Sequence, residues 1–153
     1  MNYWLFKTDT EDYTIDDLKQ DKKTPWTGVR NYQARNFMRD HMKKGDFVLF
    51  YHSGGTTPGI AGLAKIASAS YPDPTQFDKK SKYFDEKATK EKPRWVLVDI
   101  AYAKKFKNFI SISVMRNKRE LQDMWALRIG NRLSITPVTK EEFEIIQLLA
   151  NSQ

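Results

Sequence analysis

The stretch Trp26-Thr27-Gly28-Val29-Arg30-Asn31-Tyr32-Gln33-Ala34-Arg35-Asn36 governs how the rest of the chain is read. It packs two aromatic rings, two guanidiniums and three side-chain amides into one short run. Such a run is poorly made for a core. Arginine is almost never fully buried without a partner, and every amide brings donors and acceptors that need satisfying. Yet Trp26 and Tyr32 carry broad apolar faces that gain nothing from free solvent. Planar rings, guanidinium forks and amides together suit a flat, hydrogen-bonding ligand with a phosphate nearby, and a nucleotide is the obvious member of that class. The plainer alternative is a loop-to-helix junction, in which Gly28 supplies the turn, Asn31 caps a helix and Trp26 plugs the core. That alternative leaves the crowding of Arg30, Tyr32, Gln33, Arg35 and Asn36 unexplained.

Upstream, Tyr3-Trp4-Leu5-Phe6-Lys7 reads as a strand. Thr14, with an acid at Asp17, reads as the cap of a short helix over roughly 14–20. Pro25 keeps the residue before it out of helix. Downstream, a helix is expected over about 31–41, with Ala34, Phe37 and Met38 as its apolar stripe. Phe47 to His52 is strongly β-prone and apolar until its end, so it reads as a strand through the middle of a sheet. Gly54 to Gly59 is a flexible loop by composition. Ile60 to Ala67 is a strand whose small residues allow close packing or curvature. The prolines at 72 and 74 exclude regular structure across Tyr71 to Pro74, and residues 75–93 read as a long polar loop of the kind that is often functional. Strands are expected over Arg94–Tyr102, Ile110–Val114 and Leu133–Thr136, and a helix over Asn117–Leu127 with Leu121, Met124 and Trp125 facing in. Thr139-Lys140-Glu141-Glu142 is a capping box that opens a last helix carrying Phe143, Ile146 and Leu149. Strands divided by short helices of uneven length argue for an α+β fold, a small barrel or curled sheet with helices outside.

A chain of 153 residues suits one domain, 1–153, and can bury a sufficient core unaided. The absence of cysteine excludes disulfides, thiolate zinc sites and cysteine nucleophiles together. Only His41 and His52 remain as imidazoles, so neither a metal site nor a cofactor is expected. No leader pattern opens the chain, and no apolar run approaches the ~20 residues of a spanning helix. A soluble, cytoplasmic monomer with no membrane partner is therefore expected. The net charge of +7 and pI near 9.5 favour polyanionic partners. The excess is uneven. Lys104, Lys105, Lys107, Arg116, Lys118 and Arg119 follow one another with no acid between, while acids gather over Asp9–Asp21 and Glu141–Glu144. One-sided clustering of this kind points to nucleic acid.

Several runs then coincide with a known family: Tyr3-Trp4-Leu5, the stretch from Trp26 to Asn36, Phe50-Tyr51-His52-Ser53, Pro58-Gly59-Ile60, Tyr71-Pro72-Asp73, Thr75-Gln76-Phe77-Asp78, Tyr83-Phe84-Asp85, Pro93-Arg94-Trp95 and Arg128-x-Gly130-Asn131-Arg132-Leu133-Ser134. Together they resemble the EVE domain over nearly the whole chain. The chain departs from that pattern at Ser53-Gly54-Gly55-Thr56, where many relatives carry an Asn soon after the Ser. The resemblance implies a PUA-like mixed β-barrel with short helices packed around it, related in fold to YTH and ASCH domains. It also implies a reader of modified bases in DNA or RNA.

A base inside a duplex is hidden, so a reader takes it single-stranded or flips it out. The expected pocket has Trp26 as its stacking face with Tyr32 or Trp95 opposite, and Asn31, Asn36, Tyr51, His52 and Ser53 around the polar edge. Arg30, Arg35, Arg128 and Arg132 are the expected phosphate contacts, with Lys79, Lys80 and Lys82 as diffuse attraction. His52 either bonds the ligand or caps its strand; Trp4 and Trp125 belong to the core. Two rivals remain. Pro72-Asp73 with Asp85-x-Lys87 imitates a magnesium nuclease pattern, although Asp73 also suits a turn cap beside Pro74. A plain protein-interaction domain is the other. No catalytic residue is assigned.

Overall fold

Phe47, Val48, Leu49 and Phe50 are all apolar because the strand they form is covered on both faces. The computed structural model describes residues 1–152. Strand β3 (Phe47–Ser53) sits inside a six-stranded mixed sheet. Val48 and Phe50 join Trp4, Phe6, Ala64 and Ile100 in one apolar cluster. Leu49 and Tyr51 join Leu5, Ile60, Leu63 and Ile110 in a second, on the opposite face. The period of two along the strand does this sorting, and an apolar run without alternation is its signature when both faces are buried.

Around β3, β1 (Tyr3–Asp9) pairs in parallel and β4 (Gly59–Ile66) antiparallel. With β2 (Lys23–Pro25), β7 (Asp99–Ser111) and β8 (Ile135–Val138), the order is β2-β7-β4-β3-β1-β8. A two-residue pair, β5 (Tyr71–Pro72) with β6 (Val96–Leu97), stands apart. Irregularities in the β3–β4 and β4–β7 registers bend the sheet into half a barrel. Gly62 permits one of these close approaches: a Cβ there would lie 2.5 Å from the Lys104 carbonyl oxygen and 2.7 Å from Ile15 Cγ1.

Helices α1 (Ile15–Asp21) and α2 (Tyr32–Asp40) cover the first face, and α3 (Ile112–Arg116) and α4 (Lys140–Asn151) the second. Three of the caps follow from sequence. Thr14 and Asp17 close a capping box, as do Thr139 and Glu142, and Asn31 Oδ1 accepts from the N–H groups of Gln33 and Ala34.

Elsewhere the structure corrects the reading. Residues 99–111 are one strand where two were expected, over 94–102 and 110–114, and Val96–Leu97 belong to a separate short pair. The lysines of the long strand stand on the solvent side while Phe106 and Ile110 turn in. Residues 112–116 are helical instead of β, because Ser111 caps a turn by accepting from Val114 N–H. The helix expected over 117–127 is two 3-10 turns, Arg119–Leu121 and Trp125–Leu127, interrupted by the extended backbone of Met124. Pro72 does enter a strand, but in a two-residue pair where a missing donor is tolerated.

Asp46 pins the start of β1 to the turn before β3. It is 3% exposed and accepts from Trp4 Nε1 (3.1 Å), Asn2 N–H (3.1 Å) and Lys43 N–H (3.0 Å). Asp46→Ala strands those donors, and each orphaned buried donor costs roughly 1–3 kcal/mol. We expect a loss of at least about 2 kcal/mol in unfolding free energy, measured by denaturant titration near neutral pH.

Candidate nucleic-acid interface

Trp26 leaves β2 with its N–H donating to the Val98 carbonyl at 3.0 Å. Its indole meets Phe6 (ring centroids 5.5 Å apart), Phe50 (5.8 Å, edge-on) and Tyr13 (6.2 Å, edge-on). The ring is half-buried: it packs against the core and also lines a cavity of about 400 Å³. That volume lies in the range of small-ligand clefts. Tyr13 and Tyr83 are the other rings in the lining, with Thr8, Thr24, Thr27 and Ser134 as hydroxyls and Asp9 and Asp12 as carboxylates. Tyr13 donates its hydroxyl to Asp21 at 2.7 Å. Burial first, then that bond to Asp21, push the phenol up to about 12, so it stays protonated and orients its ring.

Two lining residues, Gly28 and Arg30, are held from behind by Asp73, which has no exposed surface. Its carboxylate accepts from Gly28 N–H (2.8 Å), Arg30 (3.1 Å), Thr75 N–H (2.8 Å) and Thr75 Oγ1 (2.6 Å). Burial alone pushes this carboxyl up; the donors from Gly28, Thr75 and Arg30 outweigh burial and hold it below the usual range. Arg30 also donates to the Tyr83 carbonyl (2.8 Å) and Thr75 Oγ1 (3.0 Å), and its guanidinium lies 5.4 Å from the rings of both Tyr83 and Trp95. Gly28 has φ +89°, and a Cβ there would fall 2.5 Å from the Tyr83 ring.

Of the residues singled out from sequence, Trp26 and Arg30 line this cavity. The others do not, and most have partners within the protein. Tyr32 stacks on Trp95 (4.8 Å, 26°), under the guanidinium of Arg35 (4.7 Å). Trp95 is 5% exposed and donates its indole N–H to Asp85 at 2.8 Å. Asn31 spends its carbonyl on the α2 cap. Asn36 Oδ1 accepts from Arg35, which also donates to the Arg94 carbonyl. Tyr51 is buried beneath the Lys7 ammonium. Ser53 ends β3, and its carbonyl accepts from Thr10 N–H. His52 Nε2 accepts from Ile15 N–H at 3.1 Å, so it bridges the end of β3 to the start of α1. Arg128 lies over the Trp125 ring (4.7 Å), and Arg132 is exposed just before Ser134. Trp4 is core, as expected, while Trp125 is only half-buried. Thr8, Tyr13, Thr24, Thr27, Tyr83 and Ser134 were missed; of these, Thr27, Tyr83 and Ser134 lay within runs that carried the resemblance.

The nuclease-like pattern is consumed structurally. Asp73 is the hub just described, and Asp85 holds the Trp95 indole and the Lys87 N–H. Among the described residues no three potential metal ligands cluster.

Two outcomes follow. Gly28→Ala meets a positive φ, costing about 1–2 kcal/mol by itself, and drives the Tyr83 ring out of place. We expect at least that destabilisation in denaturant unfolding. Burial pushes His52 below its ordinary 6.5, Lys105 adding to it and Asp16 and Asp17 opposing. The unfolded chain therefore binds this proton first, so the contribution is complete above about pH 6.5 and is lost as pH falls through the folded value. Between about pH 7.5 and about pH 5, wild type should lose more stability than His52→Gln; parallel curves would reject the assignment.

Residues 2–149 match the family model of the EVE domain. Human thymocyte nuclear protein 1 is 38% identical over 171 residues, an alignment taking in 99% of this chain and 75% of the relative. A hypothetical protein from Leishmania major superposes with TM-score 0.92 at 45% identity, covering 98% of this chain and 94% of that one. Human THYN1 protein in complex with 5-methylcytosine containing DNA gives TM-score 0.93 at 37% identity, covering 100% and 99%. The names overturn one expectation: the human, mouse and chicken relatives are nuclear proteins by name, against the cytoplasmic location expected. The half-barrel, the Trp26 turn locked by Asp73 and the match along almost the full sequence agree: the chain belongs to the EVE domain family.

Proposed function

We propose that this protein binds nucleic acid without cleaving it and reads a modified base, taken from the stack into the cavity beside Trp26. The observation that carries this reading is the cavity itself, about 400 Å³ between Trp26, Tyr13 and Tyr83. The human THYN1 complex, with the same fold and DNA containing 5-methylcytosine, supports it. Base–aromatic stacking contributes ~1–3 kcal/mol per base. A methyl group buried against the indole adds roughly 0.8 kcal/mol, about a four-fold preference, so stronger discrimination rests on shape and on the polar edge. Thr8, Thr24, Thr27 and Ser134 supply hydroxyls there, and Asp9 and Asp12 can accept from an exocyclic amine such as that of cytosine.

In this reading Arg132 and Arg128 contact phosphate near Ser134, and Lys82, over the Tyr83 ring at 5.1 Å, adds attraction. Arg30 lines the wall and Arg35 belongs to the frame, and both guanidiniums are already bonded within the protein. Asn31, Tyr32, Asn36, Tyr51, His52, Ser53 and Trp95 hold the frame.

The test is an anisotropy panel of labelled DNA and RNA oligonucleotides, with and without 5-methylcytosine. Wild type should prefer a modified strand. Trp26→Ala should lose that preference and about ten-fold or more in affinity for the preferred strand, while keeping weak salt-sensitive binding. Trp26→Phe checks that the fold survives. Equal loss on every strand would make Trp26 a scaffold residue, and wild type with no salt-sensitive binding would favour a protein partner.

A further inference from the structure

Ile129 is the most exposed large apolar side chain among the described residues, at 101%. Apart from Met1 at the start of the chain, none of the others exceeds the 69% of Leu148. Ile129 stands at the tip of a tight turn. The Asn131 N–H donates to the Arg128 carbonyl at 3.1 Å, and Gly130 takes a positive φ of +80°, which suits glycine at the third place of such a turn. A Cβ at Gly130 would meet nothing within 4 Å, so the tip projects clear of the protein. The turn is held at both ends. Before it, the Arg128 guanidinium lies 4.7 Å from the Trp125 ring, which packs edge-on against Phe37 of α2 (5.7 Å). After it, the Leu133 N–H donates to Asn131 Oδ1 (3.3 Å), and the Ser134 carbonyl accepts from the Lys7 N–H (2.8 Å).

Single exposed apolar residues are ordinary on protein surfaces. The surroundings of this one set it apart. Arg128 and Arg132 flank it, both exposed and, among the described residues, outside any ion pair. Ser134, five positions on, lines the cavity beside Trp26. Five residues reach at most about 18 Å when fully extended, and the turn makes the true span shorter. That is on the scale of a major groove, about 12 Å wide, so the tip and the cavity mouth can address one base pair. Arginines hold phosphates, and an aliphatic side chain between them is the kind that enters a base stack.

We propose that Ile129 is a wedge that enters the duplex where the read base leaves it and fills the vacated place in the stack. The wedge rests on the base-reading proposal: extraction unstacks a base at a cost, and an inserted side chain offsets part of it. Its contribution is confined to duplexes, because a single strand has no paired stack to hold open. Preference for the modified base stays with the cavity.

The experiment measures the affinity of wild type, Ile129→Ala, Ile129→Met and Leu148→Ala for a fluorescein-labelled DNA strand carrying one 5-methylcytosine, alone and in duplex, and for the unmodified twins. Ile129→Ala removes three carbons from the wedge. It should weaken duplex binding about ten-fold or more and leave single-strand affinity within about two-fold of wild type. Ile129→Met, which keeps a wedge-forming side chain, should restore most of the duplex affinity. Leu148→Ala, an exposed apolar position on α4, is the control and should change neither. A second duplex carries 2-aminopurine beside the methylated cytosine, a base whose fluorescence rises when its neighbour leaves the stack. Saturating wild type should brighten it more than saturating Ile129→Ala. Unchanged duplex affinity in Ile129→Ala, equal loss on strand and duplex, equal brightening, or the same loss in Leu148→Ala overturns the wedge. A wild type whose duplex binding and brightening depend on Ile129, but which shows no preference for the modified cytosine, keeps the wedge and removes the modified-base reading. A wild type that binds no strand removes both.

Discussion

The carboxylate of Asp73 lies out of reach of water and stays ionised because the backbone and side chains around it donate to it: Gly28, Arg30 and Thr75 all converge there. This arrangement ties two segments that have little regular structure of their own. One is the turn after Trp26, the other the loop from Asp73 to Asp85. Arg30 extends the tie to the carbonyl of Tyr83, and Gln76 extends it further by donating to the carbonyls of Asp73 and Trp95 and accepting from the N–H groups of Arg94 and Trp95. A loop held through so many buried bonds behaves as wall instead of flap. Binding by such a wall loses less conformational entropy than binding by a loop that must first be ordered.

The opposite side of the cavity is fixed by different chemistry. Trp26 is wedged between Phe6 and Phe50, rings contributed by the two parallel strands β1 and β3. Tyr13 meets its edge from the approach to α1. That approach is in turn anchored by His52, the residue at the end of β3 that accepts from Ile15. So a histidine outside the cavity still governs where a cavity ring stands, through one hydrogen bond and the helix start it secures. Site and core are continuous here: the same indole closes the apolar cluster and opens onto the hollow.

The sequence showed clearly those features that depend on residues close along the chain. The capping boxes at Thr14 and Thr139 and the doubly buried strand at Phe47 needed no tertiary knowledge. Lys104 to Asn108 were left out of the expected strands because they lack apolar alternation, while β7 runs straight through them and turns the lysines to solvent. The site was half legible for a related reason. A run such as Arg30, Asn31, Tyr32, Arg35 and Asn36 announces that many polar groups need partners. It does not say whether the partner is a ligand or another part of the protein. Here Asn31 meets backbone N–H groups, Arg35 meets Asn36 and the Arg94 carbonyl, and Tyr32 meets Trp95. Tyr13 and Thr8 reach the cavity only through the pairing of distant strands, which local pattern does not encode.

The division of charge around the hollow carries its own consequence. The arginines in and behind the wall are satisfied by carbonyls, an amide and the Asp73 carboxylate, so they offer little to an incoming phosphate. Asp9 and Asp12 stand in the lining and repel one. A nucleotide approaching this site therefore meets surroundings that accept hydrogen bonds inside and unpaired cations outside. In the proposed reading the heterocycle is the part that enters, and Arg128 and Arg132 draw the phosphates around it. Affinity and preference then arise from different residues. Salt acts strongly on the outer cations, which are near water, and weakly on stacking against Trp26. A protein built this way can hold any strand loosely and dwell on the one whose base fits.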